Sequence, residues 1–241
     1  VGELLDWRMA YIIGGVMGLL LLFLRIKMFE SGLFHQVKAQ DVPKGNLLML
    51  FSPLSRFLKY MKCIFIGLPV WFVIGVLITF SPELAKEIGV HDPILAGRAI
   101  LFSYAGLAVG DFASGALSQL WGSRRNVIGV FLLLTTLIVL VYIFSPPVGT
   151  VTFYTYCTLL GFATGFWAVF VTVASEHFGT NLRATVTTTV PNFVRGAVVP
   201  ITLSFQWFSS FLGLRMGALT IGAICLGVAF VSAHFMDETF G

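Results

Sequence analysis

Seven apolar stretches of membrane-spanning length, separated by short polar loops, constrain this 241-residue chain more than any other feature. The expected helices lie at about 8–26, 58–80, 94–120, 126–145, 150–175, 185–210 and 215–235. A bilayer core takes about 20 apolar residues per helix, so seven helices and their loops use up the chain. Inside lipid every backbone N–H and C=O must be satisfied within the protein, which leaves helices or a closed barrel. The two-residue alternation of barrel strands is absent. The expected fold class is therefore all-α, a polytopic integral membrane helix bundle.

Composition agrees. The chain is 57% hydrophobic and only 11% charged, against about 25% charged residues in soluble domains. So few charges cannot cover a water-facing surface, and membrane lipid is the expected partner. The net charge of +4 is not a nucleic-acid signal, because the basic residues sit in interhelical loops. One set of loops holds Arg25, Lys27, Lys38, Lys44, Arg56, Lys59, Lys62, Arg124, Arg125 and Arg183; the other holds Arg8, Lys86, Arg98 and Arg215. The richer set belongs in the cytoplasm. That places the amino end outside and the carboxyl end, Asp237-Glu238-Thr239, inside the plasma (inner) membrane.

Metal and redox chemistry find little support. Cys63, Cys157 and Cys225 fall inside apolar segments, as small buried side chains do. His35, His91, His177 and His234 lie in loops or at helix ends without metal-ligand spacing. No metal and no cofactor is expected. The chain begins Val1-Gly2-Glu3, without Met and without a signal peptide's basic region, so it reads as the later part of a longer protein. The stretch 27–57 carries Pro43, Gly45, Pro53 and mixed charge. It separates a leading helix, 1–26, from a six-helix bundle, 58–241. Small residues four apart (Gly14/Gly18, Gly106/Gly110, Gly161/Gly165 and Gly213/Gly217) suit close helix packing.

One loop suggests the kind of membrane protein. Gly115-Ala116-Leu117-Ser118-Gln119-Leu120-Trp121-Gly122-Ser123-Arg124-Arg125 resembles the Major Facilitator Superfamily (MFS) signature, roughly G-x-L-[SA]-D-R-x-G-R-[RK]. Gly115, Leu117, Ser118, Gly122 and Arg124 fit. Gln119, Leu120 and Ser123 depart from it, as suits the looser copy in the second half of such proteins. The helix opened by Asp6-Trp7-Arg8 and ended by Arg25 through Glu30-Ser31 resembles family helix six of sugar and metabolite porters. Glu176 through Arg183 resembles the cytoplasmic loop between helices ten and eleven. The resemblance implies family helices six to twelve, the C-terminal half of the fold. Residues 1–26 would then be the last helix of the N-terminal bundle, and 27–57 the cytoplasmic loop between bundles.

Few residues can carry chemistry inside the apolar segments. Asp111 lies about ten residues before Trp121, so roughly 15 Å from the boundary. Two readings are open for it: a proton-coupling carboxylate, or a structural acid that caps or pairs near the gate. The sharpest periodicity is Thr185, Thr188, Asn192, Arg195, Val199, Thr202, Gln206 and Ser209, where seven of eight residues are polar at alternating steps of three and four. Such a face cannot point at lipid. It makes Thr188, Asn192, Arg195, Thr202 and Gln206 substrate-path candidates, the more so because family helix eleven contributes to the central cavity. Arg195 either binds an anionic substrate group or neutralises Asp111. Trp71, beside Pro69, is a further path candidate, with a core or lipid-facing aromatic as its alternative. Gly115, Gly122, Arg124, Arg125, Glu176 and Arg183 are the expected cytoplasmic gate, with Glu176 pairing Arg124 or Arg125.

No His-Glu-x-x-His, Gly-x-Ser-x-Gly, paired intramembrane acids or nucleotide loop is present, so an enzyme is not expected. The resemblance implies a secondary active transporter of a small metabolite. Its coupling would be to protons, its mechanism alternating access, and its partner the missing N-terminal half. Two alternatives stand beside it: a non-transporting half-transporter or membrane scaffold, and drug or organic-ion efflux.

Overall fold

The computed structural model describes residues 7–26 and 47–240. The chain divides into two units, 1–43 and 44–241. In the first, α1 (Trp7–Ile26) is apolar from Tyr11 to Leu24. The expected Glu30-Ser31 ending and most of the 27–57 loop lie outside the described residues.

The second unit is helical throughout, and no strand occurs among the described residues. A 3₁₀ turn (Leu47–Leu50) leads into α2 (Leu54–Phe72), which continues as a π-helical segment, Val73–Ile78. Then follow α3 (Ser81–Ile88), α4 (Ala96–Trp121), α5 (Arg124–Ile143), α6 (Thr150–Ala163), α7 (Trp167–Glu176), α8 (Thr180–Gly196), α9 (Val198–Leu212) and α10 (Leu214–His234). Among the described residues, five segments are long and apolar enough to cross a membrane: 54–78, 96–121, 124–143, 150–176 and 214–234.

Three boundaries differ from expectation. Helix α2 begins at Leu54 rather than 58, because Pro53 forms its N-cap and the polar Ser55 and Arg56 belong to its first turn. The short α3 occupies a stretch read as loop. Pro82 starts it, Glu83 sits favourably in its first turn, and Gly89, at φ 90°, ends it in the left-handed conformation. The expected helix at 185–210 is two helices meeting at Ala197. Pro200 has no N–H for the Gly196 carbonyl, and its ring crowds that carbonyl, so the rod breaks there.

The 150–176 span also breaks, at Thr164–Phe166. The freed backbone groups find partners inside the protein. Thr135 Oγ1 donates to the Ala163 carbonyl at 2.9 Å, and Thr164 Oγ1 donates to the Leu160 and Gly161 carbonyls. A break at membrane depth is tolerated only with such replacement partners.

The glycines at four-residue spacing explain how α4 meets this span. A Cβ on Gly106 would strike the Thr158 carbonyl, and one on Gly161 the Ser103 carbonyl. Gly110 and Gly165 face each other across the same contact. Backbones this close allow no side chain between them. Gly213 plays another part: at φ 81° it is the joint between α9 and α10.

Buried aromatic and branched residues pack into two clusters. One gathers Tyr60, Phe131, Phe170, Phe178 and Val186; the other gathers Phe72, Tyr142, Phe153, Phe205 and Ile221. Two hydroxyls tie helices within them, Tyr60 donating to Thr189 Oγ1 at 2.7 Å and Tyr142 to the Leu77 carbonyl at 3.1 Å.

Candidate functional site

Asp111 and Arg195 each lie at a helix break. Asp111 on α4 reaches the N-terminus of α7, where its Oδ1 accepts from the Ala168 N–H at 3.1 Å. The first N–H groups of a helix have no partner within it, and its amino end carries partial positive charge. A carboxylate there satisfies a donor and meets a favourable field. Arg195 lies in the last turn of α8, where the exposed carbonyls carry partial negative charge. Breaks that would otherwise leave dipole ends inside the bundle thus hold the opposite charge.

Asp111 and Arg195 flank the start of α7 rather than each other. The Arg195 guanidinium lies over the Trp167 ring, 5.9 Å from its centroid. Among the described residues no carboxylate comes within ion-pair distance of it. Direct neutralisation of Asp111 by Arg195, one reading of the sequence, is not what the geometry shows.

The polar stripe lies on the surface of this unit. Thr188, Asn192, Arg195 and Gln206 are exposed, and Thr202 is half-buried. Behind them Val186, Val190, Val194, Ile201 and Phe205 are buried. The exposed face of α5, by contrast, is Val130, Leu133, Leu137 and Leu140, which suits lipid. The stripe extends onto α7 through Ala168 and Thr172, also exposed. Trp71 is half-buried and stands edge-on to Trp167, with centroids 6.4 Å apart. It backs Trp167 rather than standing in the exposed stripe.

At the far end of α4, Gly122, at φ 58°, ends the helix in the left-handed conformation, and Ser123 caps α5. Arg124 pairs with Glu176, which closes α7. Arg125 is half-buried and Arg183 exposed, and neither makes an ion pair among the described residues. Gly115 has room around it, with nothing within 4 Å of the place a Cβ would take.

Sequence reasoning placed Glu238 only in the carboxyl tail, with no role. Its carboxylate accepts from Ser123 Oγ and from the Arg124 and Arg125 N–H groups at 3.0 and 3.3 Å. It is thus an anion seated on the amino end of α5, brought there from 114 residues away. Arg124 also lies 5.7 Å from the centroid of the Phe240 ring. Burial pushes the Glu238 carboxyl up, but the hydrogen bonds from Ser123, Phe240, Arg124 and Thr239 outweigh it and hold it below its ordinary value. Nearby, Lys59 and Asp237 are 3.6 Å apart and Lys62 Nζ donates to the Phe235 carbonyl at 2.8 Å. His177 bonds the Val173 carbonyl through Nδ1 at 2.8 Å. Burial pushes its imidazole below the ordinary value, against the opposing effect of that hydrogen bond.

A helix bundle with several long apolar segments and apolar outer faces is the architecture of a multi-pass membrane protein. The Major Facilitator Superfamily profile matches residues 1–199, and the chain belongs to that superfamily. A protein of Cupriavidus pinatubonensis (strain JMP 134 / LMG 1197) named "Probable 4-methylmuconolactone transporter" is 27% identical over 249 residues, covering 98% of this chain and 54% of that protein. The chain spans about half the length of this curated relative.

Proposed function

We propose that the chain forms the second half, family helices six to twelve, of a secondary active transporter that moves a small anionic metabolite together with protons. Residues 1–26 are then the last helix of the first bundle, 27–57 the cytoplasmic connection, and the rest the six-helix second bundle. The protein sits in the plasma (inner) membrane with its carboxyl end in the cytoplasm. The observation that carries this reading is the exposed polar stripe of α8 and α9 with Arg195 at its middle. In a bundle whose other faces are apolar, such a face belongs against water or another protein. The other half of the transporter supplies the opposite wall, and rocking of the two halves exposes the path to each side in turn. The relative named for transport of a small molecule supports the same class of activity.

Asp111 is the coupling carboxylate in this reading. Its hydrogen bond to the start of α7 links its charge to the broken span, so protonation weakens the cap and frees α7 to move. Arg195 attracts the substrate anion, and Thr188, Asn192, Thr202 and Gln206 give it hydrogen bonds along the path. Arg124 and Glu176 close the cytoplasmic end. The test is uptake by the intact protein in vesicles with an imposed pH gradient. Asp111→Asn keeps an acceptor for the Ala168 N–H but carries no proton to release. Proton-driven accumulation is expected to disappear while exchange of internal for external substrate persists. Accumulation at the wild-type level in Asp111→Asn would remove Asp111 from the coupling step.

A further inference from the structure

The geometry points to a planar, conjugated carboxylate as the substrate class, read jointly by the Arg195 guanidinium and the Trp167 indole. This rests on the transport reading above and sharpens it.

Arg195 is exposed, sits at the middle of the polar face, and has no carboxylate within ion-pair distance among the described residues. A guanidinium at membrane depth is costly without an anion. Its planar fork accepts a carboxylate through two parallel hydrogen bonds. The 5.9 Å between Cζ and the Trp167 centroid is near the outer limit of about 6 Å for a cation over a ring. The side chain is therefore held near the indole but not pressed on it, and its fork remains available.

Trp167 is held in place before any ligand arrives. The Trp71 ring stands against it at an interplanar angle of 76°, and the Phe170 ring centroid is 5.1 Å away. Trp167 is also the first residue of α7, directly before the N–H that Asp111 caps. A rigid aromatic surface beside a cationic fork favours a ligand whose carboxylate and π-system are coplanar and directly bonded. The π-system stacks against the indole while the carboxylate meets the fork. A saturated ring of the same size offers the fork the same charge but puckers away from the indole. Trp167 is the residue that tells the two apart, and Trp71 is a positioning residue behind it.

The experiment is initial-rate uptake by cells expressing the intact protein, with benzoate and cyclohexanecarboxylate as probes and a neutral sugar as control. Wild type is expected to favour benzoate in kcat/KM by about tenfold, the worth of one good aromatic contact. Trp167→Leu should abolish that preference and Trp167→Phe should keep most of it. Arg195→Gln should raise KM for both acids by tenfold or more without loss of the membrane-inserted protein. Equal handling of the two acids by wild type, or a preference that survives Trp167→Leu, overturns the inference and leaves transport standing. So does uptake of the sugar with neither acid carried. An Arg195→Gln protein that no longer inserts would make Arg195 a structural residue, and this too overturns it. Failure to move any solute across a broad panel instead overturns the transport reading itself.

Discussion

At the scale of single residues, three charged side chains meet helix ends of opposite partial charge. Asp111 and Glu238 sit on helix amino ends and Arg195 on a carboxyl end. The placement of Glu238 has a consequence for pH. A carboxyl held below its ordinary value stabilises the folded state above the unfolded-state pKa, and that contribution is lost as pH falls through the folded pKa. His177, whose imidazole is likewise pushed down, acts in the same direction: the unfolded chain takes up its proton first, so acid favours unfolding. The melting temperature in detergent should therefore fall as pH is lowered from 7 towards 4. Glu238→Gln should melt lower at pH 7 and show a flatter acid limb. An identical pH profile in the variant would mean that the seat on α5 contributes nothing to stability.

At the scale of elements, the sequence announced Gly106, Gly110, Gly161 and Gly165 as close-packing residues, and α4, α6 and the break after α6 use them so. Gly213 and Gly217 had the same spacing and a divided fate. Gly213 is a joint, whereas a Cβ on Gly217 would strike Ser209, so that glycine does serve close packing. Spacing states that a face is narrow, and only the partner helix decides whether the narrowness is used. Gly106→Ala is expected to destabilise the bundle strongly, because its methyl would meet the Thr158 backbone rather than a side chain able to turn aside. Gly129→Ala, inside α5 with nothing within 4 Å, should be stabilising by roughly 0.5–1 kcal/mol from helix propensity alone. Thermal melts of the two variants side by side check both signs. The helix breaks were legible only in part. Pro200 marks the one at Ala197, but the break at Thr164–Phe166 has no proline and depends on Thr135 from another helix to satisfy Ala163.

At the scale of the whole molecule, four separate segments meet at one end of the second unit. The α4–α5 loop, the end of α7, the start of α2 and the carboxyl tail come together around Arg124, Glu176, Lys59 and Glu238. An ion pair worth on the order of 1 kcal/mol shifts a balanced two-state equilibrium about fivefold. Glu176→Gln should therefore increase the labelling rate of cysteine probes at that end several-fold. The exchanged pair, Arg124→Glu with Glu176→Arg, should bring labelling back towards wild type. Unchanged labelling in both would leave Arg124 and Glu176 as ordinary boundary charges.

The hydrophobic layout by itself determined that this is an all-α membrane bundle, because lipid leaves an apolar chain no other way to satisfy its backbone short of a barrel. The polarity of the face through Arg195 was readable within each helix, but the break at Ala197, which divides that face between α8 and α9, was not expected. The tertiary structure alone decided that Trp167 rather than Asp111 stands beside Arg195, that Asp111 caps α7, and that Glu238 closes onto α5. These are pairings between residues far apart in the chain, and only the packing of the helices brings them together.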